Sequence, residues 1–276
     1  VDVVYITTPN SLHCGQTLQA AQAGKHVLCE KPMALSVADA LTMIRACRDA
    51  NVTLGVSLQN RHHPAHVEAR RQVQKGDAGQ VTVATAQYSH DFRPDFRWSN
   101  WHWRGDLAMA GGGSLMGMGL HCIDLLRFVL GREVETAYAF SDEDLGAGRP
   151  DETTVCLLRF QGPVHALVIN SIHVPHARND LVLYGSQARI EGVDTVGMPW
   201  KGHLRITKGD VTTEVSYPSD KPTFGLFVRV VEDFNRAVLT GTEPAATGAD
   251  GLALVRIADA IQGSARRQKA APIATE

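Results

Sequence analysis

Short strands and amphipathic helices alternate through residues 2–58, and this alternation constrains the fold more than any other feature of the chain. Residues 2–7 are a β-rich run. Residues 11–23 read as a helix closed by Gly24, a residue suited to helix C-termini. His26–Cys29 is a second strand. Residues 36–50 read as a second helix: Ser36 and Asp39 supply an S-x-x-D start, and Val37, Ala40, Leu41 and Ile44 share a face. Residues 52–58 are a third strand. Strand–helix–strand–helix–strand requires right-handed crossovers and a parallel sheet. Three strands make only half of a doubly wound domain, which normally has two such units. No G-x-G-x-x-G follows a strand, and Gly111-Gly112-Gly113 lacks the strand context that fingerprint demands.

After residue 60 the pattern changes. Residues 64–75 read as a helix and 80–89 as a strand. A loop over 90–110 is dense in Phe92, Arg93, Phe96, Arg97, Trp98, Trp101, Trp103 and Arg104, and its clustered tryptophans argue against disorder. A helix over 114–130 stops at Gly131. Strands are expected over 133–140, 153–160, 164–173, 179–191, 204–208 and 211–217, joined by short turns and so mostly antiparallel. Helices over 224–239 and 249–266 close the chain. The expected organisation is α/β over 1–60 and an α+β domain with a large, mostly antiparallel sheet over 61–276.

Composition removes several function classes. The formal net charge is −2, without the basic stripe that a nucleic-acid partner needs. No apolar run is read as approaching the roughly 18–20 residues that span a bilayer, and no secretory signal is visible, so a cytoplasmic protein without membrane contact is expected. Cys14, Cys29, Cys47, Cys122 and Cys156 are scattered and form no CxxC pair, which argues against a disulfide framework or a zinc site. His62, His63 and His66 lack the intervening Glu of H-E-x-x-H, and Pro64 interrupts the helix, so no metal is expected and these histidines read as solvated. No nucleophile elbow or phosphate loop occurs.

Ligands of parallel sheets bind beyond the carboxyl ends of the strands. Thr7-Thr8-Pro9-Asn10 and Glu30-Lys31-Pro32 occupy such positions. Pro32 keeps Lys31 out of helical geometry, and a lysine there could pass a proton to a substrate oxygen; the plain alternative is a surface lysine. His121 and Asp124 can share a helix face as an imidazole and its orienting carboxylate, or simply form a structural pair. Trp103-Arg104 offers an indole face and a guanidinium for a ring and an anion, or a satellite cluster with a snorkelling arginine. Asn60-Arg61 follows the last parallel strand, as a substrate contact or a polar hinge.

Thr8-Pro9-Asn10, His13, the string Gly24-Lys25-His26-Val27-Leu28-Cys29-Glu30-Lys31-Pro32, Trp103-Arg104, Gly111-Gly112-Gly113 and Gly119-Leu120-His121-Cys122-Ile123-Asp124 together closely resemble the glucose–fructose oxidoreductase and inositol dehydrogenase family, Gfo/Idh/MocA. The resemblance spans essentially the whole chain. It implies a Rossmann-type parallel sheet, here its C-terminal half, followed by the large-sheet domain. It implies an enzyme that moves a hydride between NAD or NADP, the preference left open, and a sugar, cyclitol or related polyol or carbonyl metabolite. In that family's pattern Lys31 touches nicotinamide and substrate in a proton relay and His121 is the acid/base. Thr8, Pro9, Asn10, His13, Glu30, Trp103 and Arg104 line the cofactor, and Asp124 lies nearby as a substrate or orienting group, while Asn60 and Arg61 are expected at the substrate from their position alone. Two alternatives stay open: a glycosidase using transient oxidation by bound NAD, and a catalytically silent binding protein. The open sheet face suggests a homodimer or homotetramer. The family's glycine-rich loop would precede Val1, so the chain as it stands is expected to bind dinucleotide weakly or not at all and to be inactive by itself. Gly117 stands where many members carry Asp four residues before the histidine.

Overall fold

A computed structural model describes residues 1–91, 102–143, 148–198, 201–217 and 224–274. Of the aromatic loop, Phe92, Arg93, Phe96, Arg97, Trp98 and Trp101 lie outside the described residues.

Strands β1 (Val3–Ile6), β2 (His26–Cys29) and β3 (Leu54–Val56) form a parallel sheet in that order, with Ile6 beside Cys29 and Cys29 beside Val56. Helices α1 (His13–Gln22) and α2 (Val37–Asp49) make the two crossovers. The Ser36 hydroxyl accepts from Asp39 N at 3.1 Å, which caps α2 as its sequence signature requires. Side chains alternate across the sheet. Ile6, Val27 and Cys29 pack with Ala20, Ala21, Ala40 and Met43 of α1 and α2. Tyr5 and Leu28 point the other way.

That second face is covered by α6 (Gly225–Thr240), whose Val230 and Phe234 pack on Leu28. Gly55 is needed there, since a Cβ would come within 2.6 Å of the Phe234 ring. The next helix, α7 (Gly248–Arg267), rests on the first sheet too: Gly251 lies against Met33 and Val56. The last two helices, although they come late in the chain, thus also pack on the first sheet. A parallel sheet must be covered on both faces, and its own crossovers supply one.

The second sheet has nine strands. Their ranges are β4 (Val81–Ser89), β5 (Val134–Ser141), β6 (Thr153–Phe160), β7 (His165–Ser171), β8 (Leu181–Gly185), β9 (Arg189–Val193), β10 (His203–Lys208), β11 (Val211–Ser216) and β12 (Ala271–Pro272). The order is β11-β10-β9-β8-β4-β7-β6-β5-β12, antiparallel throughout except for the parallel pair β4–β7. The single strand expected over 179–191 is the hairpin β8–β9, closed where Gly185 N donates to Ala188 O at 2.9 Å.

Helices α3 (Pro64–Gln74), α5 (Leu120–Leu130) and α7 cover one face of this sheet. The segment Leu107–Leu130 is long and apolar enough to cross a membrane, a run the sequence reading missed, but 83% of its apolar window is buried within the protein, as in a core helix. It is not one uniform helix. A short α4 (Leu107–Ala110) is followed by a π-helical turn, Leu115–Gly119, and only then by α5, which ends at left-handed Gly131. Leu120, Ile123, Leu125, Leu126 and Val129 are fully buried.

Candidate active site

A cavity of about 410 Å³ opens where the ends of β1 and β2 meet the start of α5. Lys31 and His121 both line it, so the first sheet and the second domain contribute to one site.

Lys31 follows β2 directly, and its peptide bond to Pro32 is cis. Its ammonium donates to the carbonyls of Met116, at 3.1 Å, and Gly117, at 2.6 Å. Both belong to the π-helical turn; such wide turns occur often at functional sites. An ammonium has three donors, so two are committed and one is left. Burial pushes the Lys31 pKa down to about 8; Glu30 opposes this and Arg104 adds to it.

Glu30 is held from behind. The Tyr5 phenol donates to its carboxylate at 2.5 Å, and Lys31 N donates to it at 3.2 Å. The one phenol proton is thereby used, so the Ser57 hydroxyl, 2.9 Å away, donates to Tyr5. Burial and the neighbouring Glu30 raise the Tyr5 pKa well above its usual range. Arg104 stacks on the Trp103 ring at 4.2 Å, and both residues line the cavity. Burial lowers the Arg104 pKa to about 10, against the attraction of Glu30.

His121, in the first turn of α5, is 6% exposed. Its Nδ1 is buried without a hydrogen-bond partner among the described residues. Burial first, and Lys31 second, hold its pKa well below the usual histidine range, so the imidazole is neutral near pH 7. The Tyr88 ring lies 5.7 Å from it.

Other expected residues take different places. Asn10 lines the cavity, and its Nδ2 donates to Ala110 O at 2.8 Å. Thr8, Pro9 and His13 do not line it. The Thr8 hydroxyl donates to Gln16 at 2.7 Å. The His13 ring lies between the carbonyls of Pro32, at 2.8 Å, and Thr8, at 2.9 Å, and so ties the two strand-end loops together.

Asp124 does not reach His121 as an orienting group. Its carboxylate accepts from Arg61 Nε at 2.9 Å and Nη2 at 2.5 Å. Arg61 also pairs with Asp250 at 2.8 Å and donates to Ala245 O at 2.7 Å. A shared helix face was a sound expectation, but the face of α5 at residue 124 turns toward residues 59–62 and α7, where a buried carboxylate takes the nearest guanidinium. Asn60 is likewise outside the cavity lining, its Oδ1 accepting from Gly197 N at 3.1 Å. His63 and His66 are fully buried rather than solvated.

Sequence reasoning missed several contributors. Tyr88, Ile172, Met198 and Phe227 line the cavity from distant parts of the chain, and no local pattern marks them. Asp151 accepts from Gly113 N, Ser114 Oγ and Leu115 N, each at 2.7 Å, and so caps the turn that leads to His121. Gly113 must lack a side chain, because a Cβ would lie 1.9 Å from Asp151 O. This close approach is the role of the glycine run.

Residues 1–58 match the family described as an oxidoreductase family with an NAD-binding Rossmann fold, and residues 66–191 match the GFO/IDH/MocA C-terminal domain. The chain is 31% identical, over all of its 276 residues and 80% of the relative, to 1,5-anhydro-D-fructose reductase of Ensifer adhaerens. It belongs to the GFO/IDH/MocA family. It is 30% identical to D-xylose 1-dehydrogenase (NADP(+)) 2 of Haloferax volcanii, over 96% of this chain and 78% of that one. The structure of the aldose-aldose oxidoreductase of Caulobacter crescentus, complexed with glycerol, superposes with a TM-score of 0.86 at 30% identity, covering 99% of this chain and 79% of that one.

As a member of this family the chain is an NAD(P)-dependent oxidoreductase. Its cavity fits the reactive end of that cofactor. The Trp103 indole gives a flat surface for a ring, Lys31 has a donor uncommitted, and the Nδ1 of His121 is buried without a partner. The cavity volume falls within the roughly 300–1,000 Å³ range of small-molecule sites. Trp103, Arg104, Lys31 and Asn10 are the residues that would hold the nicotinamide end.

Proposed function

We propose that this chain transfers a hydride between NAD or NADP and a carbinol or carbonyl carbon of a sugar, cyclitol or related polyol, with Lys31 and His121 handling the hydroxyl proton. The observation that carries the reading is the shared cavity: an ammonium with a lowered pKa, from beyond the tip of β2, and a neutral imidazole, from the first turn of α5, both line it. The dinucleotide, when bound, supplies the nicotinamide carbon that gives or takes the hydride. Everything else falls to side chains. The third N–H of Lys31 points a hydrogen bond at the substrate oxygen. In the oxidative direction the hydroxyl proton leaves to a deprotonated Lys31 or to His121, and in the reductive direction it returns. Met116 and Gly117 fix the Lys31 nitrogen through their carbonyls, so little reorganisation is needed at the moment of transfer.

Related proteins named for reactions of anhydrofructose, xylose and inositol support this substrate class. The deciding assay is a panel of these compounds with each oxidised and reduced nucleotide, run on the full product of the gene and read at the absorbance of reduced nicotinamide. Stoichiometric formation or loss of that absorbance is expected with at least one compound. No change with any of them rejects the reading.

The outer face of the nine-stranded sheet exposes Phe140, Leu157, Val83 and Tyr184, by 64%, 56%, 46% and 44%. Exposed apolar clusters of this kind commonly mark interfaces. A homodimer or homotetramer assembled through that face is part of the proposal.

A further inference from the structure

We propose that Thr195–Met198 is the specificity wall of the cavity, with Met198 selecting substrate size and Asn60 and His66 acting as positioning residues that hold the wall. The inference rests on the hydride-transfer reading for the identity of the substrate, but its geometry stands alone. Met198 lines the cavity together with Tyr88 and Ile172. Its segment belongs to no helix or strand, so something else must fix it.

Two residues of one neighbouring stretch do so, Asn60 and His66, while a third, His63, holds Lys201 beyond the segment. Asn60 Oδ1 accepts from Gly197 N at 3.1 Å. His66 Nδ1 lies 2.7 Å from Asn60 O and must carry the proton, because a carbonyl only accepts. Its Nε2 is then an acceptor and takes the Thr195 hydroxyl at 2.9 Å. His63 has the opposite tautomer. Its Nδ1 accepts from Ala65 N at 3.1 Å, so Nε2 carries the proton and donates to Lys201 O at 3.0 Å. The two rings lie 4.8 Å apart and are fully buried. Burial lowers the His63 pKa to about 4 and that of His66 well below the usual range, so both remain neutral and keep these tautomers near pH 7.

The wall also touches the chemistry. Gly197 has φ +136°, and a Cβ there would come 3.1 Å from the Tyr88 ring. A backbone hydrogen bond joins Tyr88 to Met198, and the same ring neighbours His121. A shift of the wall would thus move the substrate side of the cavity without touching Lys31.

Two variants test this. For Met198→Ala, kcat/KM is measured with glycerol, D-xylose, D-glucose and cellobiose. The expected result is a shift of at least about tenfold in relative kcat/KM toward the larger compounds. An unchanged size preference, or an equal fall in kcat for all, overturns Met198 as the selector. Thr195→Val removes the hydroxyl but keeps the shape. It is expected to raise KM several-fold at near-constant kcat and to speed amide exchange at residues 196–198 at least about tenfold while the rest of the chain is unchanged. Unaltered exchange there, or a loss confined to kcat, overturns the positioning role. If wild type turns over no compound with either nucleotide, the hydride-transfer reading and the size selection fall together, while the exchange measurement still decides the staple.

Discussion

At the residue scale, Lys31 should set the pH dependence of the reaction. Its folded pKa is lowered to about 8 from the ordinary lysine range near 10. In the oxidative direction the amine accepts a proton, so kcat/KM should rise with pH and level off above about 8. In the reductive direction the ammonium donates, so kcat/KM should fall above the same point. A pH series in both directions checks this, and profiles without a mirrored step near 8 would exclude Lys31 as the proton carrier. Lys31→Met should lower kcat by about 10²–10⁴-fold, the usual worth of a general acid–base, with the thermal midpoint nearly unchanged. The glycines next to this site should behave oppositely. A Cβ at Gly117 meets nothing within 4 Å, whereas one at Gly113 would collide with Asp151 O. Gly117→Ala should leave stability within about 0.5 kcal/mol, and Gly113→Ala should cost about 3 kcal/mol or prevent folding, as read by denaturant titration. Lys31 was legible at a strand tip and His121 on a helix expected over 114–130, and the family resemblance rather than local position singled out both. Tyr5 and Asp151 were not, because their value lies in hydrogen bonds made across 25 and 36 residues of sequence.

At the element scale, α5 is fixed by a buried ion network in addition to its apolar side chains. Arg61 and Asp124 are almost completely buried, and Arg61 reaches Asp250 at the start of α7. Removing one member leaves an uncompensated charge, which typically costs 3–5 kcal/mol. Asp124→Ala should therefore destabilise by roughly that amount and lower turnover indirectly, through a displaced His121 helix; near-normal stability would show that the network is dispensable. The staple on α3 adds an acid sensitivity. The His63 pKa is depressed to about 4 against an ordinary value near 6.5. The unfolded chain binds the proton first, so His63 costs nothing above about pH 6.5 and its contribution is lost as pH falls toward 4, by roughly 3 kcal/mol. His63→Gln should flatten that part of a stability-against-pH curve, and an unchanged slope would place the sensitivity elsewhere. Local periodicity revealed β2, α2 with its Ser36 cap, and β6 almost to the residue. It could not reveal the π-helical turn, whose sequence still reads as helix, and the single strand expected over 179–191 runs across the break at residues 186–188 although Gly185-Ser186-Gln187 is a polar turn sequence.

At the scale of the whole molecule, the sequence disclosed two sheets but not how the chain closes over them. The parallel pairing of β4 with β7 and the return of α6 to the first sheet are long-range choices, made because each buries a face that nothing nearby can cover. Among the described residues, the outer face of the large sheet exposes Phe140, Leu157, Val83 and Tyr184. Tyr138 and Phe140 pack edge to face there at 5.3 Å, and Leu157 lies beside Tyr138 in the register of β5 with β6. These residues project away from α5 and α7, so an interface on this face would leave the cavity untouched. Sedimentation equilibrium should accordingly find wild type as a dimer or tetramer at micromolar concentration. Phe140→Glu combined with Leu157→Glu should yield monomers, because assembly would have to bury two carboxylates against the same apolar patch in its partner. The monomer should keep its far-ultraviolet spectrum. A wild type that sediments as a monomer rejects the assembly, and a charged double variant that still associates places the interface on another surface.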